Sequence, residues 1–295
     1  MLFTIFSTLM CACLFSYILY FPSLIISYKV GAIDFPNSRK IHTKPTARMG
    51  GLSFFIAFSV LLLVSPVELN AKIPLALGGT AMFWVGFLDD AMTLSPTQKL
   101  TGQFLSAAIY LFSKEESNVT EGFFTLVWII FLCNATNLTD GIDGLAGGIC
   151  ATESLCLAVL SLCFGNFNIF LCSVILLGVI LGFLPRNFPK AKIFMGDCGA
   201  LFLGFVLAAL SSNLLFESKS IISLISIFLI FRVPTYDTNL SILRRLVKRQ
   251  NPFKADKEHF HHQLIKRGFT KECTTLALVT ISLILGLIGI IISFI

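Results

Sequence analysis

Residues 134–148, N-A-T-N-L-T-D-G-I-D-G-L-A-G-G, set polar and acidic groups directly after an apolar run, Phe123 to Leu132. Asn134, Asn137, Asp140 and Asp143 recur every third residue, a spacing that on a helix gathers all four on one face. Gly141, Gly144 and Gly147 run beside them at the same interval, a stripe without side chains that a backbone or a ligand can approach. Two carboxylates at the edge of hydrocarbon are costly unless a cation or water meets them. The functional reading is a Mg²⁺–phosphate site; the structural one is a polar helix end followed by a flexible glycine loop.

Three further clusters fit the same chemistry. Asp89 and Asp90 end an apolar stretch, G-F-L-D-D at 86–90. On a continuing helix they would point about 100° apart, so both face one cavity only if the helix stops there. Like charges this close raise one pKa or recruit a cation, which suits a general base beside a metal. Asp197 lies between Gly196 and Gly199, near Arg186, Lys190 and Lys192; it reads as a phosphate–metal ligand or as a helix cap. In D-K-E-H-F-H-H-Q-L, residues 256–264, three His fall within four positions. They suit diphosphate contact better than zinc, because further His or Cys at zinc spacing are missing. The basic residues of R-K-I-H-T-K-P-T-A-R-M-G-G, 39–51, either hold phosphate or anchor to headgroups.

The elements that must position these groups are membrane helices. Of 295 residues, 56% are hydrophobic and 13% charged, against about 25% charged in a soluble protein. One soluble core could not bury so much apolar sequence, so the expected class is an all-α polytopic integral membrane protein. Ten or eleven spans are expected, ten of them about 3–27, 51–66, 73–88, 101–113, 123–138, 149–164, 168–184, 200–216, 220–236 and 273–294. Several fall short of the ~20 residues that cross a bilayer upright. The loops 29–50, 89–100, 139–148, 185–199 and 237–272 hold 18 of the 22 Lys and Arg. The positive-inside rule makes that side cytoplasmic and puts both termini outside. All eight Asp and all four His share that side, which basic bias does not explain, so the reaction centre is expected there. The whole chain, 1–295, reads as one transmembrane domain. Its loop 237–272 carries an interfacial helix with Leu240, Leu243 and Val247 on one face. The nine scattered Cys read as small buried hydrophobes, and the first apolar run as a retained span. The net charge of +6 points to an anionic leaflet and phosphate substrates rather than nucleic acid. P-loop, dinucleotide-binding and G-x-S-x-G patterns are absent from the sequence.

Four motifs in order carry a resemblance: F-L-D-D, N-x-x-N-L-T-D-G-I-D-G-L-A-G-G, F-M-G-D-C-G and H-F-H-H. Together they resemble the polyprenyl-phosphate N-acetylhexosamine-1-phosphate transferases, glycosyltransferase family 4, over Arg39 to about Gly268. The resemblance implies that undecaprenyl phosphate attacks the β-phosphate of a UDP-N-acetylhexosamine, releasing UMP, with Mg²⁺ or Mn²⁺ required. It implies catalytic roles for Asp89, Asp90, Asp140 and Asp143 and metal contacts from Asp197 and Asn137. It implies substrate contacts from Lys44, Asn187, Phe194, His259, His261 and His262, Lys44 being the looser match. The third motif departs from the family, with Cys198 where Ser is usual. The H-x-H-H form resembles the branch that starts O-antigen and related envelope glycans with N-acetylglucosamine-1-phosphate. The phospho-N-acetylmuramoyl-pentapeptide branch usually shows a contiguous H-H-H. Partners implied are undecaprenyl phosphate, the UDP-sugar, the lipids of a bacterial inner membrane and, as a candidate, a second copy of the chain in a homodimer.

A transporter is the rival of another class. It fits a polytopic fold with broken helices, but it predicts ionisable groups near mid-membrane and an inverted repeat, neither of which the sequence displays. A CDP-alcohol phosphotransferase needs an Ala-Arg after the D-G pair, and residues 140–155 lack it.

Overall fold

The computed structural model describes residues 2–35, 45–115, 118–218, 220–247 and 259–294, with side chains from residue 5 onward. Among them, twelve helices and one two-stranded ribbon follow in the order α1 (Leu2–Val30), β1 (Ile33–Asp34), β2 (Thr46–Ala47), α2 (Gly51–Val64), α3 (Leu69–Met92), α4 (Pro96–Ser113), α5 (Val119–Thr139), α6 (Leu145–Cys163), α7 (Phe167–Asn187), α8 (Gly196–Ser218), α9 (Ile221–Ile230), α10 (Arg232–Val247), α11 (Phe260–Lys266) and α12 (Lys271–Ile292).

The fold is wound around α8. Every residue from Cys198 to Ser212 is buried, so this helix is apolar all round, as a helix enclosed by others must be. Its neighbours come close because glycine stands at the contacts. A Cβ at Gly86 of α3 would strike the α8 backbone at Asp197 and Cys198, and one at Gly204 of α8 would strike α5 at Cys133. Without a hydrophobic drive between helices in lipid, such close backbone packing is a main source of cohesion. Aromatic rings fill the space between α2, α3 and α8. Phe55 and Phe83 stack with centroids 3.9 Å apart, and Phe202 meets Phe55 and Phe58 edge-on.

Large apolar residues also cover the outside. On α1 alone Phe6, Leu14, Ile18, Phe21 and Ile25 are exposed, a lipid-facing surface rather than a water-facing one. Among the described residues, seven helices are long and apolar enough to cross a membrane. An eighth crossing results if α9 and α10, bent by 78° at their junction, are one broken span. The expected ninth span, 220–236, is therefore divided: α9 stops at Ile230 and α10 starts at Arg232, inside residues expected to continue upright. The expected second span is a helix of 14 residues. The expected fourth lies within α4, which starts five residues earlier and carries Gln98, Lys99, Thr101 and Gln103 in its first half behind a Ser95–Gln98 capping box.

Candidate active site

The ends of α3, α5 and α7, the starts of α4, α8 and α12, and α11 meet at one end of the bundle. The α3 helix stops just after its acidic pair because Thr93 adopts a left-handed conformation, φ 58°. The pair then serves two neighbours. Asp90, buried, accepts from the backbone N–H groups of Asp197 (3.0 Å) and Cys198 (2.9 Å). It therefore caps α8 from another helix, placing a carboxylate on the positive helix end. Arg48 approaches Oδ1, the oxygen that also takes the Asp197 N–H, at 3.5 Å. Asp89 accepts from the Leu94 N–H at 2.7 Å and from the Lys99 ammonium at 2.9 Å.

With its helix capped by Asp90, Asp197 has its own carboxylate available for other contacts. The cap that the sequence allowed for Asp197 is thus supplied in trans. Asp197 accepts from Lys99 and, at 2.9 Å, from the Asn137 amide. Lys99 also donates to the Asn137 carbonyl oxygen at 3.2 Å. One ammonium thus ties α3, α5 and α8 together. Burial works against its charge, yet Asp197 and Asp89 hold the Lys99 pKa above the ordinary lysine value.

The every-third-residue polar stripe does not stay on one helix. The α5 helix ends at Thr139 and Asp140 is its C-cap. Asn134 turns to Gln103 of α4 (2.7 Å), away from Asp197. Asp143 lies in the following turn, where it accepts from the Ala191 N–H at 3.1 Å. The turn closes on Gly144, φ +74°, whose N–H donates to Asn187 at 3.0 Å. Asn187 in turn donates to the Ile193 carbonyl at 3.0 Å, so it clasps two loops as well as lining the site. The glycines make room for side chains rather than for a bare stripe: a Cβ at Gly141 would overlap His261 Nε2, and one at Gly144 would meet Phe188.

A small strand platform completes the floor. The β1 and β2 strands pair antiparallel, and Ala47 also bridges in parallel to Ile193. The Phe194 N–H donates to the Ala47 carbonyl at 2.8 Å, which carries Arg48 and Phe194 to the same wall.

Between these parts lies a cavity of about 360 Å³. Asp140, Asp143, Asp197 and Asn137 line it, with Arg48 and Lys271 as cations and His262, Asn187, Phe194 and Asp34 around them. Burial, with the Asp197 and Asp90 charges beside it, pushes the Asp140 carboxyl up to about 7. His259 and His261 are buried behind the wall rather than lining it. The His261 ring sits parallel to that of His259, centroids 5.8 Å apart, and 4.3 Å from that of His262. Burial and the two neighbouring His hold its pKa down at about 4. Lys44 lies outside the described residues.

Arg48 belongs to the basic run 39–51 read as holding phosphate or anchoring to headgroups, whereas Lys99 and Lys271 were hidden in the sequence among loop cations with no pattern to separate them. Asp34 and Asp237 belong to none of the four motifs.

Among the described residues no three His, Cys, Asp or Glu side chains converge closely enough to hold an ion by themselves. The donors present are carboxylate and amide oxygens, the chemistry of Mg²⁺. That ion is commonly held by one or two carboxylates and completed by water and substrate phosphates, so the donor set fits it.

Residues 73–215 match the family described as Glycosyl transferase family 4. Among the proteins that the chain is similar to are the following from three bacteria. One is the probable undecaprenyl-phosphate N-acetylglucosaminyl 1-phosphate transferase of Bacillus subtilis, 35% identical over 91% of this chain and 79% of that protein. Another is the undecaprenyl-phosphate alpha-N-acetylglucosaminyl 1-phosphate transferase of Thermotoga maritima, 33% identical over 90% and 83%. The protein of the same description from Escherichia coli is 26% identical over 99% and 85%.

Proposed function

Because the chain belongs to glycosyl transferase family 4, we propose that it transfers N-acetylglucosamine-1-phosphate from UDP-N-acetylglucosamine to undecaprenyl phosphate, releasing UMP. The observation that carries this reading is the cavity itself. It joins four aspartates, Asp34, Asp140, Asp143 and Asp197, to Arg48 and Lys271 at the end of a lipid-covered bundle, where a membrane-held phosphate and a soluble diphosphate can meet. The relatives' descriptions name the same acceptor and sugar.

The reaction is a displacement at phosphorus. An oxygen of the lipid phosphate forms a bond to the sugar-bearing phosphorus, and the bond to the UMP oxygen breaks. Arg48 and Lys271 offset the charge of the two substrates in a poorly solvated place. Asp89 stands behind Lys99 rather than on the cavity wall, so Asp140, which lines the cavity, is the better-placed acceptor for a proton from the lipid phosphate. Asp143 and Asn187 hold the turn that presents Asp140. Asp197 and Asn137 would hold Mg²⁺, with Mn²⁺ as a substitute, and the ion would supply Lewis-acid stabilisation of the phosphoryl oxygens.

In the membrane, α2 and α4 complete ten crossings with α9–α10 as one broken span, the site facing the cytoplasm. The test is UMP release by purified protein given undecaprenyl phosphate, Mg²⁺ and a panel of UDP-sugars. UDP-N-acetylglucosamine is expected to be used best, and Asp197→Asn to lose at least about 100-fold in turnover. Lipid-dependent UMP release from another UDP-sugar alone would replace the sugar assignment. No release from any would end the reading.

A further inference from the structure

The α10 helix is turned inside out. Its apolar residues Leu243, Leu246 and Val247 are exposed, while Asp237, Thr238, Ser241 and Arg245 are buried. The spacing of the buried set, 237, 238, 241 and 245, is one helical face. That face meets the start of α11, whose N-cap is His259. One carboxylate makes both connections. Asp237 Oδ2 lies 2.9 Å from His259 Nδ1, and Asp237 Oδ1 accepts from the Phe260 N–H at 3.0 Å. Ser241 Oγ stands 3.3 Å from the same Nδ1 and accepts from Arg244 at 2.9 Å. Asp237 and His259 are 6% and 4% exposed, so water does not compete for these bonds.

We propose that Asp237 is a positioning residue for the histidine motif: it fixes the ring of His259 and the first turn of α11, and through them the placement of His261 and His262. An ionised carboxylate only accepts, so the shared proton is carried by His259 Nδ1. The parallel His259 and His261 rings pass that orientation on, and His261 rests against Gly141 of the site turn. The arrangement repeats what Asp90 does for α8. In each case a carboxylate on one helix caps another, and the capped helix carries a residue of the site. Here the carboxylate stands on a helix whose other face meets lipid.

The kinetic arm of the test rests on the transferase reading, and the spectroscopic arm does not. Asp237→Asn offers one acceptor and one donor. With its oxygen toward the Phe260 N–H, its amide must donate to His259 Nδ1, which drives the ring proton to Nε2. Histidine-selective ¹⁵N spectra of the full chain in lipid, with His259 assigned from its loss in His259→Gln, are expected to show Nδ1–H in the native protein and Nε2–H in Asp237→Asn. Turnover of Asp237→Asn should fall about 10- to 100-fold, as when a group that orients a site histidine is removed, with the KM for UDP-N-acetylglucosamine changed less than about 3-fold. Asp237→Asn/His259→Gln should then lose no more than His259→Gln alone, since both changes act through one ring. An unchanged tautomer in Asp237→Asn, or losses that multiply in the double variant, would overturn the proposal. If Asp237→Asn does not accumulate, Asp237→Glu carries the test: retained Nδ1–H supports the assignment and its loss refutes it. Absence of UMP release from the native protein would remove the transferase reading and leave the tautomer result standing.

Discussion

Lys99 shows how much a single side chain decides at this site. Its ammonium lies between Asp89 and Asp197 and also donates to Asn137. Replacing it by Met leaves two partly buried carboxylates without a cation, the costly half of a broken ion pair. Metal-free Lys99→Met is expected to melt lower than the native chain. Added Mg²⁺, offered a more negative site, should raise its Tm by more than it raises the native Tm. Scanning fluorimetry with and without Mg²⁺ measures both, and an equal or smaller Mg²⁺ shift in the variant refutes the bridging role. His261 sets a second expectation. Its folded pKa of about 4 lies below the ordinary 6.5, so the unfolded chain binds the proton more readily. Its contribution to stability is therefore full above about pH 6.5 and is lost as pH falls toward 4, on the order of 3 kcal/mol at most. The native chain should lose more Tm between pH 7 and 4.5 than His261→Gln does; parallel losses would show that this ring does not carry the acid sensitivity.

At the scale of elements, the sequence disclosed what periodicity and charge encode and concealed what helix ends decide. Each of the ten apolar stretches overlaps a helix, because burying or lipidating so much apolar surface leaves few other solutions. The third-residue stripe from Asn134 to Asp143 did not survive as one face, since α5 stops at Thr139 and a turn re-aims everything after it. Nor could linear spacing reveal that Asp90 caps α8 or that Asp237 caps α11, because both bonds join residues far apart in the chain. Gly141 is the position where this matters most for function. It has no left-handed backbone to protect, so alanine is conformationally acceptable there, but its Cβ would overlap the His261 ring. Gly141→Ala should therefore cost about 10-fold or more in UMP release through displacement of α11. Shrinking the ring in Gly141→Ala/His261→Ala should return Tm to the level of His261→Ala alone. A double variant less stable than that would place the damage in the turn rather than against the helix.

The whole molecule is polar in a sense that its termini can report. The α1 helix ends at the β1–β2 platform beside the site, so its start lies at the opposite end of the bundle. The α12 helix begins with Lys271 on the cavity wall and runs 22 residues away from it, about 33 Å of rise, enough to cross the hydrocarbon. The start of α1 and the end of α12 therefore lie at the end of the bundle away from the site. By the sequence alone, the set of loops that includes those at the site end holds 18 of the 22 Lys and Arg, and the opposite set holds Lys72, Lys114 and Lys219. Lys72 is moreover engaged by the carbonyls of Leu63 and Ser65 at 2.9 Å, so it adds little free charge there. On the proposed function, the charge difference would set the site end toward the cytoplasm, which is also where a nucleotide-linked sugar is available. An alkaline phosphatase fused after residue 295, active only when exported, should then be active in cells, and a fluorescent protein at the same position that matures only in the cytoplasm should stay dark. The reverse pattern would put the aspartates on the outer face, out of reach of a cytoplasmic donor, and the transferase reading could not stand with it.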